Sequence, residues 1–198
     1  DGSDDRTAEI VQDFHQHDAR VHLVQNRVPM GLGANYFRIA HQARGIFYML
    51  VNGDNVEPDS QIKAILALRG QADMVVPFFG NRDARTMPRR MTSKIFTAVV
   101  NGLSGHRLRY YNGAVLHRNA FVRSWSSETH GYGYQAEFLC HLLQPGATYV
   151  EVPVANTDRQ WGRSKAFSLS NFLSVGNSLL HIATRRLSFA YFRRGPRY

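Results

Sequence analysis

The sequence predicts an α/β fold, a mostly parallel sheet with helices on both faces. Three observations carry this. Residues 46–51 form an uninterrupted apolar run with aromatic and β-branched members, the pattern of a strand buried in a parallel sheet. The run breaks off in the polar turn Asn52-Gly53-Asp54-Asn55, and a helix start follows at Pro58, Asp59 and Ser60. Further strand segments at 72–79 and 149–154 alternate with helical stretches, the layout of an α/β chain.

The elements follow in order. Thr7 opens a helix with Ile10, Val11 and Phe14 on one face. His15 and His17 close it beside Asp18 as solvated C-terminal histidines. Residues 20–26 alternate like a strand. Gly31-Leu32-Gly33-Ala34 opens a helix through Ala43, with no third glycine to complete a dinucleotide fingerprint. A helix spans 60–68, and the strand at 72–79 runs into a loop, 80–90, with the four arginines Arg82, Arg85, Arg89 and Arg90. An amphipathic helix follows at 93–103, with Ile95, Phe96, Val99, Val100 and Leu103 inward. Residues 108–117 hold the pair Tyr110 and Tyr111 and an Asn112-Gly113 turn. The segment from Gly131 leads into a helix ending near Leu143. After the strand at 149–154, residues 159–165 read as a flexible basic loop. The chain is helical again over 169–193, with apolar and basic residues interleaved.

Composition narrows the function. A chain of 198 residues suits one domain with a sizeable core. Its divisions are a body, 1–158, and a basic loop with an amphipathic helical tail, 159–198. The single cysteine, Cys140, sits among Phe138, Leu139, Leu142 and Leu143, which suits a buried structural thiol and a reducing compartment. No apolar run approaches the roughly 20 residues of a membrane span, and Asp1-Gly2-Ser3-Asp4-Asp5 is no secretory leader. A cytoplasmic location is expected. After Asp158 there is no acidic residue, so eight of the nine net positive charges lie in the tail: Arg159, Arg163, Lys165, Arg185, Arg186, Arg193, Arg194 and Arg197. A basic tail on a near-neutral body points to an anionic partner: phosphates, nucleic acid or an acidic bilayer surface.

An open α/β sheet presents ligand groups at the carboxyl ends of its strands. That places Asp54 where a carboxylate holds a divalent cation, with the Asn52 amide oxygen beside it. The alternative is that Asp54 caps the next helix or turn. The arginines of 80–90 read either as solvated loop charges or as a phosphate clamp.

Taken together, these residues resemble the family 2 glycosyltransferases of the GT-A fold (a Rossmann-like, mostly parallel sheet with helices on both faces), close to the dolichol-phosphate mannose synthase type. Asp1-Gly2-Ser3 with Thr7-Ala8-Glu9-Ile10 resembles the end of that family's nucleotide loop. Asn26 with Gly31-Leu32-Gly33-Ala34 is similar to its Asn…Gly-x-Gly-x-Ala segment, and Asn52-Gly53-Asp54 falls on its Asp-x-Asp metal motif. Tyr111-Asn112-Gly113, Gly131-Tyr132-Gly133 with Glu137, Glu151-Val152-Pro153-Val154 and Arg159-x-x-Gly162-x-Ser164-Lys165 follow in the same order. Two departures stand out. The metal motif has an amide at 52 where the family has a carboxylate, and Val56 stands where such enzymes carry a further polar group. The family also begins with an apolar strand and an Asn-Glu-rich loop that this chain lacks, so an N-terminally truncated domain, part of a longer protein, is expected.

The resemblance implies transfer of a sugar, with inversion, from a UDP- or GDP-linked donor to a polyprenyl (dolichyl or undecaprenyl) phosphate. Asp1, Asn52, Asp54 and Arg82 are implied at the nucleotide-sugar. Asn52 and Asp54 are implied ligands of Mg²⁺ or Mn²⁺, and Asp54 and Glu137 are implied in catalysis. Arg82, Arg89, Arg90, Arg159, Ser164 and Lys165 are implied at donor or acceptor phosphate, with residues 159–165 as a lid. The tail is expected either at the cytoplasmic face of an anionic membrane or packed on its own domain. Two alternatives are an inactive membrane-surface scaffold and a nucleic-acid-binding module that stacks bases on Tyr110, Tyr111, Trp161 and Tyr191. The near-neutral body and the lack of a nucleic-acid-binding signature disfavour the last.

Overall fold

The computed structural model describes residues 1–53, 56–83, 85–125, 133–156 and 169–193. Its sheet has four strands in the order β1-β3-β2-β4: β1 (Phe47–Met49), β2 (Met74–Asp83), β3 (Leu116–Arg118) and β4 (Tyr149–Asn156). Successive residues of β2 point to opposite faces. Met74 and Val76 enter one buried cluster and Val75 the other. The first cluster gathers Tyr36 and Phe37 of α2 (Leu32–Gln42), Val100 of α4 (Met87–Ser104), Phe138 and Leu139 of α6 (Tyr134–Leu143) and Ile182 of α7 (Leu169–Arg193). The second packs Ile65 of α3 (Asp59–Ala67) on Val75, Leu116, Val152 and Val154. Helices therefore cover both faces, the α/β architecture expected.

The pairing differs from expectation. β2 and β4 are parallel, with Met74 opposite Tyr149 and Phe79 opposite Val154, but β3 runs antiparallel to both β1 and β2. The sheet is mixed rather than mostly parallel among the described residues. The connection between α4 and β3 is the cause. It carries the chain back along β2 until Gly113 lies against Pro77, where a Cβ would come within 2.8 Å of Pro77 Cγ. From there β3 runs antiparallel to β2, with Leu116 opposite Val75 and His117 opposite Met74.

The apolar run at 46–51 is not a central buried strand. β1 is three residues long and half-buried, and Ile46 and Val51 are exposed. Its only described neighbour is β3. The expected strand at 20–26 is irregular for the same reason: no described strand lies beside it to complete a ladder. The helix α1 (Thr7–His17) forms as expected, but none of its residues is buried, and Ile10 and Phe14 are exposed.

The arginine loop is also redistributed. With β4 beside it as a hydrogen-bonding partner, β2 continues to Asp83. Pro88, suited to a first helical turn, starts α4 at Met87, several residues before the apolar periodicity. Gly105, in the left-handed region at φ 79°, ends that helix. Arg82 thus lies on a strand, and Arg89 and Arg90 lie in the first turn of a helix. The short α5 (Asn119–Arg123) follows β3 directly.

Candidate functional site

The turn after β1 is the centre of the candidate site. Asn52 is held from the far side of the turn by Glu57. The Asn52 backbone N–H donates to Glu57 Oε2 at 3.2 Å, and its side-chain Nδ2 donates to Glu57 Oε1 at 2.7 Å. With Nδ2 turned to Glu57, Oδ1 is the atom the amide offers as an acceptor. Asp54 lies outside the described residues. Among those described, no three His, Cys, Asp or Glu side chains converge on a point that could hold an ion. A small hard cation at a nucleotide needs less, since one or two protein oxygens serve when phosphates and water supply the rest. The amide oxygen of Asn52 with the carboxylate of Asp54 is a donor set of that kind, so the residues fit such an ion.

A second network fixes the start of the chain. Asp1 Oδ1 accepts from Asn26 Nδ2 and from the Met30 N–H, both at 2.8 Å, and Oδ2 accepts from the Gly31 N–H at 2.9 Å. Asn26 also donates to Asn35 Oδ1 at 2.7 Å, and Arg38 donates to Asn26 Oδ1. The expected nucleotide residue Asp1 is thus tied to the N-terminal end of α2, where Gly31 takes φ 85°.

At the end of β2 the arginines divide. Arg85, with a side chain only 10% exposed, donates to both carboxylate oxygens of Asp83 at 2.9 and 2.8 Å. It also donates to Tyr110 Oη at 3.1 Å and lies over the Phe79 ring at 4.4 Å. Burial pushes the Asp83 carboxyl up. The hydrogen bonds and charge of Arg85, with Arg90 beyond it at 3.9 Å, outweigh this and hold it below the ordinary carboxylate value. Arg85 is therefore structural. Arg89 and Arg90 are half-exposed in the first turn of α4, which has no acidic residue, so the positive end of the helix dipole adds to their charge. The side chain of Arg82 lies outside the description.

An open hollow of about 390 Å³ lies at the carboxyl end of the β2–β4 pair. Its lining includes Ser60 and Gln61 of α3, Gly80 of β2 and Ala155 of β4. Ligands in open α/β folds bind at such an end.

Of the remaining expected residues, Glu137 is described. Glu137 on α6 faces α7, its Oε1 3.3 Å from His181 Nδ1, in a narrow cleft with Ser104, His106 and Cys140. Cys140 is buried, and burial pushes its thiol up to about 12, which makes it the inert structural thiol expected. Arg159, Ser164 and Lys165 lie outside the described residues, as does Trp161. On the tail, Arg185 donates to His141, and Arg186 donates to the Gly102 and Leu103 carbonyls at 2.8 and 3.1 Å. These arginines fasten α7 to the body and leave Leu173, Leu180 and Leu187 exposed. No described helix is long and apolar enough to cross a membrane. Tyr111 is buried in the core with its hydroxyl on Asn101 Oδ1, so it cannot stack on a base as the nucleic-acid reading requires.

The sequence model of Glycosyl transferase family 2 matches residues 1–128. The chain belongs to glycosyltransferase family 2. The match spans Asp1, Asn26, the Asn52 turn and the arginines of β2 and α4, and ends before Glu137. Among solved structures, glucosyl-3-phosphoglycerate synthase from Mycobacterium tuberculosis in complex with uridine diphosphate is similar, with a TM-score of 0.62 at 17% identity over 92% of this chain. A crystal structure described as a mycobacterial protein matches with a TM-score of 0.57 at 17% identity over 100% of this chain. At that identity the likeness is one of fold. The chain spans 66% and 63% of the lengths of these two proteins. No curated protein matches it.

Two features of this glycosyltransferase chain carry little signal in the sequence. Glu57 and the Asn35–Arg38 pair carry the networks around Asn52 and Asp1, and their only sequence signals were a carboxylate just after the turn and polar residues three apart on a helix.

Proposed function

We propose that this chain supplies the donor half of a metal-assisted sugar transfer, from a nucleoside-diphosphate sugar to a phosphate-bearing acceptor. One observation carries the reading. The Asn52 turn leaves β1 at its carboxyl end, directly before α3, within the segment that matches the family. The donor would lie across the carboxyl ends of the strands, with its nucleoside toward the Asp1–Asn26 network. Asn52 Oδ1 and Asp54 would hold Mg²⁺ or Mn²⁺, which supplies neutralisation of the diphosphate leaving group when bound. Arg82, Arg89 and Arg90 would hold phosphate, Arg89 and Arg90 from the positive end of α4.

The acceptor we favour is a polyprenyl phosphate. A phosphate is already anionic at neutral pH and attacks the anomeric carbon without a strong general base, so neither Asp54 nor Glu137 need act as one. A membrane surface would then meet α7 through Leu173, Leu180 and Leu187, because Arg185 and Arg186 turn to the body. Residues 159–165 would close over the site. A second reading is a small water-soluble phosphorylated acceptor, favoured by the fold neighbour that is a glucosyl-3-phosphoglycerate synthase. The test is to incubate the full-length protein with membranes, Mn²⁺ and labelled UDP- or GDP-sugars. Label in the lipid fraction supports the first reading, label on a water-soluble phosphate ester the second, and no transfer contradicts both.

A further inference from the structure

We infer that Glu57 is a positioning residue for the cation, acting through Asn52; this rests on the metal-assisted reading above. An amide is an ambiguous substitute for a carboxylate. Its two ends differ, and only the oxygen can bind a cation, whereas either oxygen of an aspartate serves. Asn52 is exposed at a turn, and among the described residues no backbone group bonds its side chain to decide which end faces the ion. Glu57 decides it. Its Oε1 takes the Nδ2 hydrogen at 2.7 Å and its Oε2 takes the Asn52 backbone N–H at 3.2 Å.

The two bonds do different things. The backbone bond closes the turn from 52 to 57 and fixes where the Asn52 side chain begins. The side-chain bond fixes its rotation, so that Nδ2 points to Glu57 and Oδ1 points away. A carboxylate suits the task because it has no hydrogen to donate and accepts on both oxygens. A glutamine in its place would offer one good acceptor and turn an NH₂ toward a donor. An aspartate at 52 would bring two carboxylates into hydrogen-bonding range and repel Glu57. Asn52 and Glu57 thus form a matched pair, and the amide at 52 is a working element of the turn in this chain.

The test is a double-mutant cycle on the full-length protein, read as Mn²⁺ binding by electron paramagnetic resonance, with and without UDP or GDP. Glu57→Gln is expected to weaken Mn²⁺ binding about tenfold, the usual effect of losing a group that orients a ligand. Its melting temperature should stay close to that of the parent, because Asn52 is exposed and Glu57 is only half-buried. Asn52→Ala should weaken binding as well, and Asn52→Ala/Glu57→Gln by less than the sum of the two losses, because the part of the Glu57 effect that passes through Asn52 is already gone. Unchanged Mn²⁺ binding in Glu57→Gln overturns the inference. Losses that add in the double variant also overturn it, since Glu57 would then act independently. A parent protein that binds nucleotide but no Mn²⁺ overturns the metal-assisted reading with it, whereas a parent that binds Mn²⁺ alongside an unaffected Glu57→Gln overturns this inference alone.

Discussion

Ser178 of α7 lies against Gly133 at the start of α6 so closely that a Cβ on Gly133 would stand 2.6 Å from Ser178 Cβ. The tail helix is therefore seated on the body at a position that admits no side chain. Gly133→Ala should destabilise the protein by about 1–3 kcal/mol, the usual effect of overpacking, and Ser178→Gly in the same chain should recover most of it. Urea denaturation of the two variants checks this. An unchanged midpoint in Gly133→Ala would mean that α7 is not docked there.

Asp83 and Arg85 should matter to stability more than to chemistry. Their side chains are 9% and 10% exposed, and removing one partner leaves the other charge buried. Asp83→Asn should cost about 3 kcal/mol. Arg90→Ala, with its side chain 39% exposed and its Nε 3.9 Å from Asp83, should change stability by less than about 1 kcal/mol and weaken phosphate binding instead. The pH sign follows from the lowered Asp83 carboxyl. Its contribution is present above the unfolded value near 4 and is lost as pH falls through the lower folded value. Denaturation midpoints for the two variants, with a parent acid titration, test this.

His117 adds a second pH dependence at higher pH. It is buried beneath Tyr36 and Phe138, and burial pushes its pKa down to about 3. Between that value and about 6.5 the unfolded chain binds a proton that the folded chain refuses, so stability falls as pH falls through this range. The slope should approach about 1.4 kcal/mol per pH unit. His106, lowered by burial and by Arg186, acts in the same direction. Urea midpoints at pH 7, 6 and 5 should decline, and His117→Leu should flatten that decline.

How far the sequence reveals the structure depends on the range of the interaction. The tail helix at 169–193 is legible because its apolar spacing is a local property. The family is legible because weak motifs such as Asn26…Gly31, the Asn52 turn and Tyr111-Asn112-Gly113 keep their order. The sheet pairing is not, because the run at 46–51 has the same composition whether its strand is central or at an edge, and only its neighbours decide. The helix α5 and the strand β3 give no periodic signal, being five and three residues long. The arginines of 82–90 look alike in a charge run. Only the fold buries Arg85 between Asp83, Phe79 and Tyr110 while leaving Arg89 and Arg90 half-exposed on α4. Glu57 was invisible because its meaning lies in a turn that brings it back onto Asn52.

The proposed metal-assisted sugar transfer depends on Asn52 and Asp54. Its most direct measurement is transfer of labelled sugar from UDP- and GDP-linked donors by the full-length protein, with and without EDTA, alongside Asp54→Ala. The expected result is transfer that EDTA abolishes, that Mn²⁺ or Mg²⁺ restores, and that falls at least about a hundredfold in Asp54→Ala, as loss of a group acting on the leaving charge commonly does. Transfer that survives both EDTA and Asp54→Ala would contradict the account, as would the lack of any metal-dependent nucleotide binding.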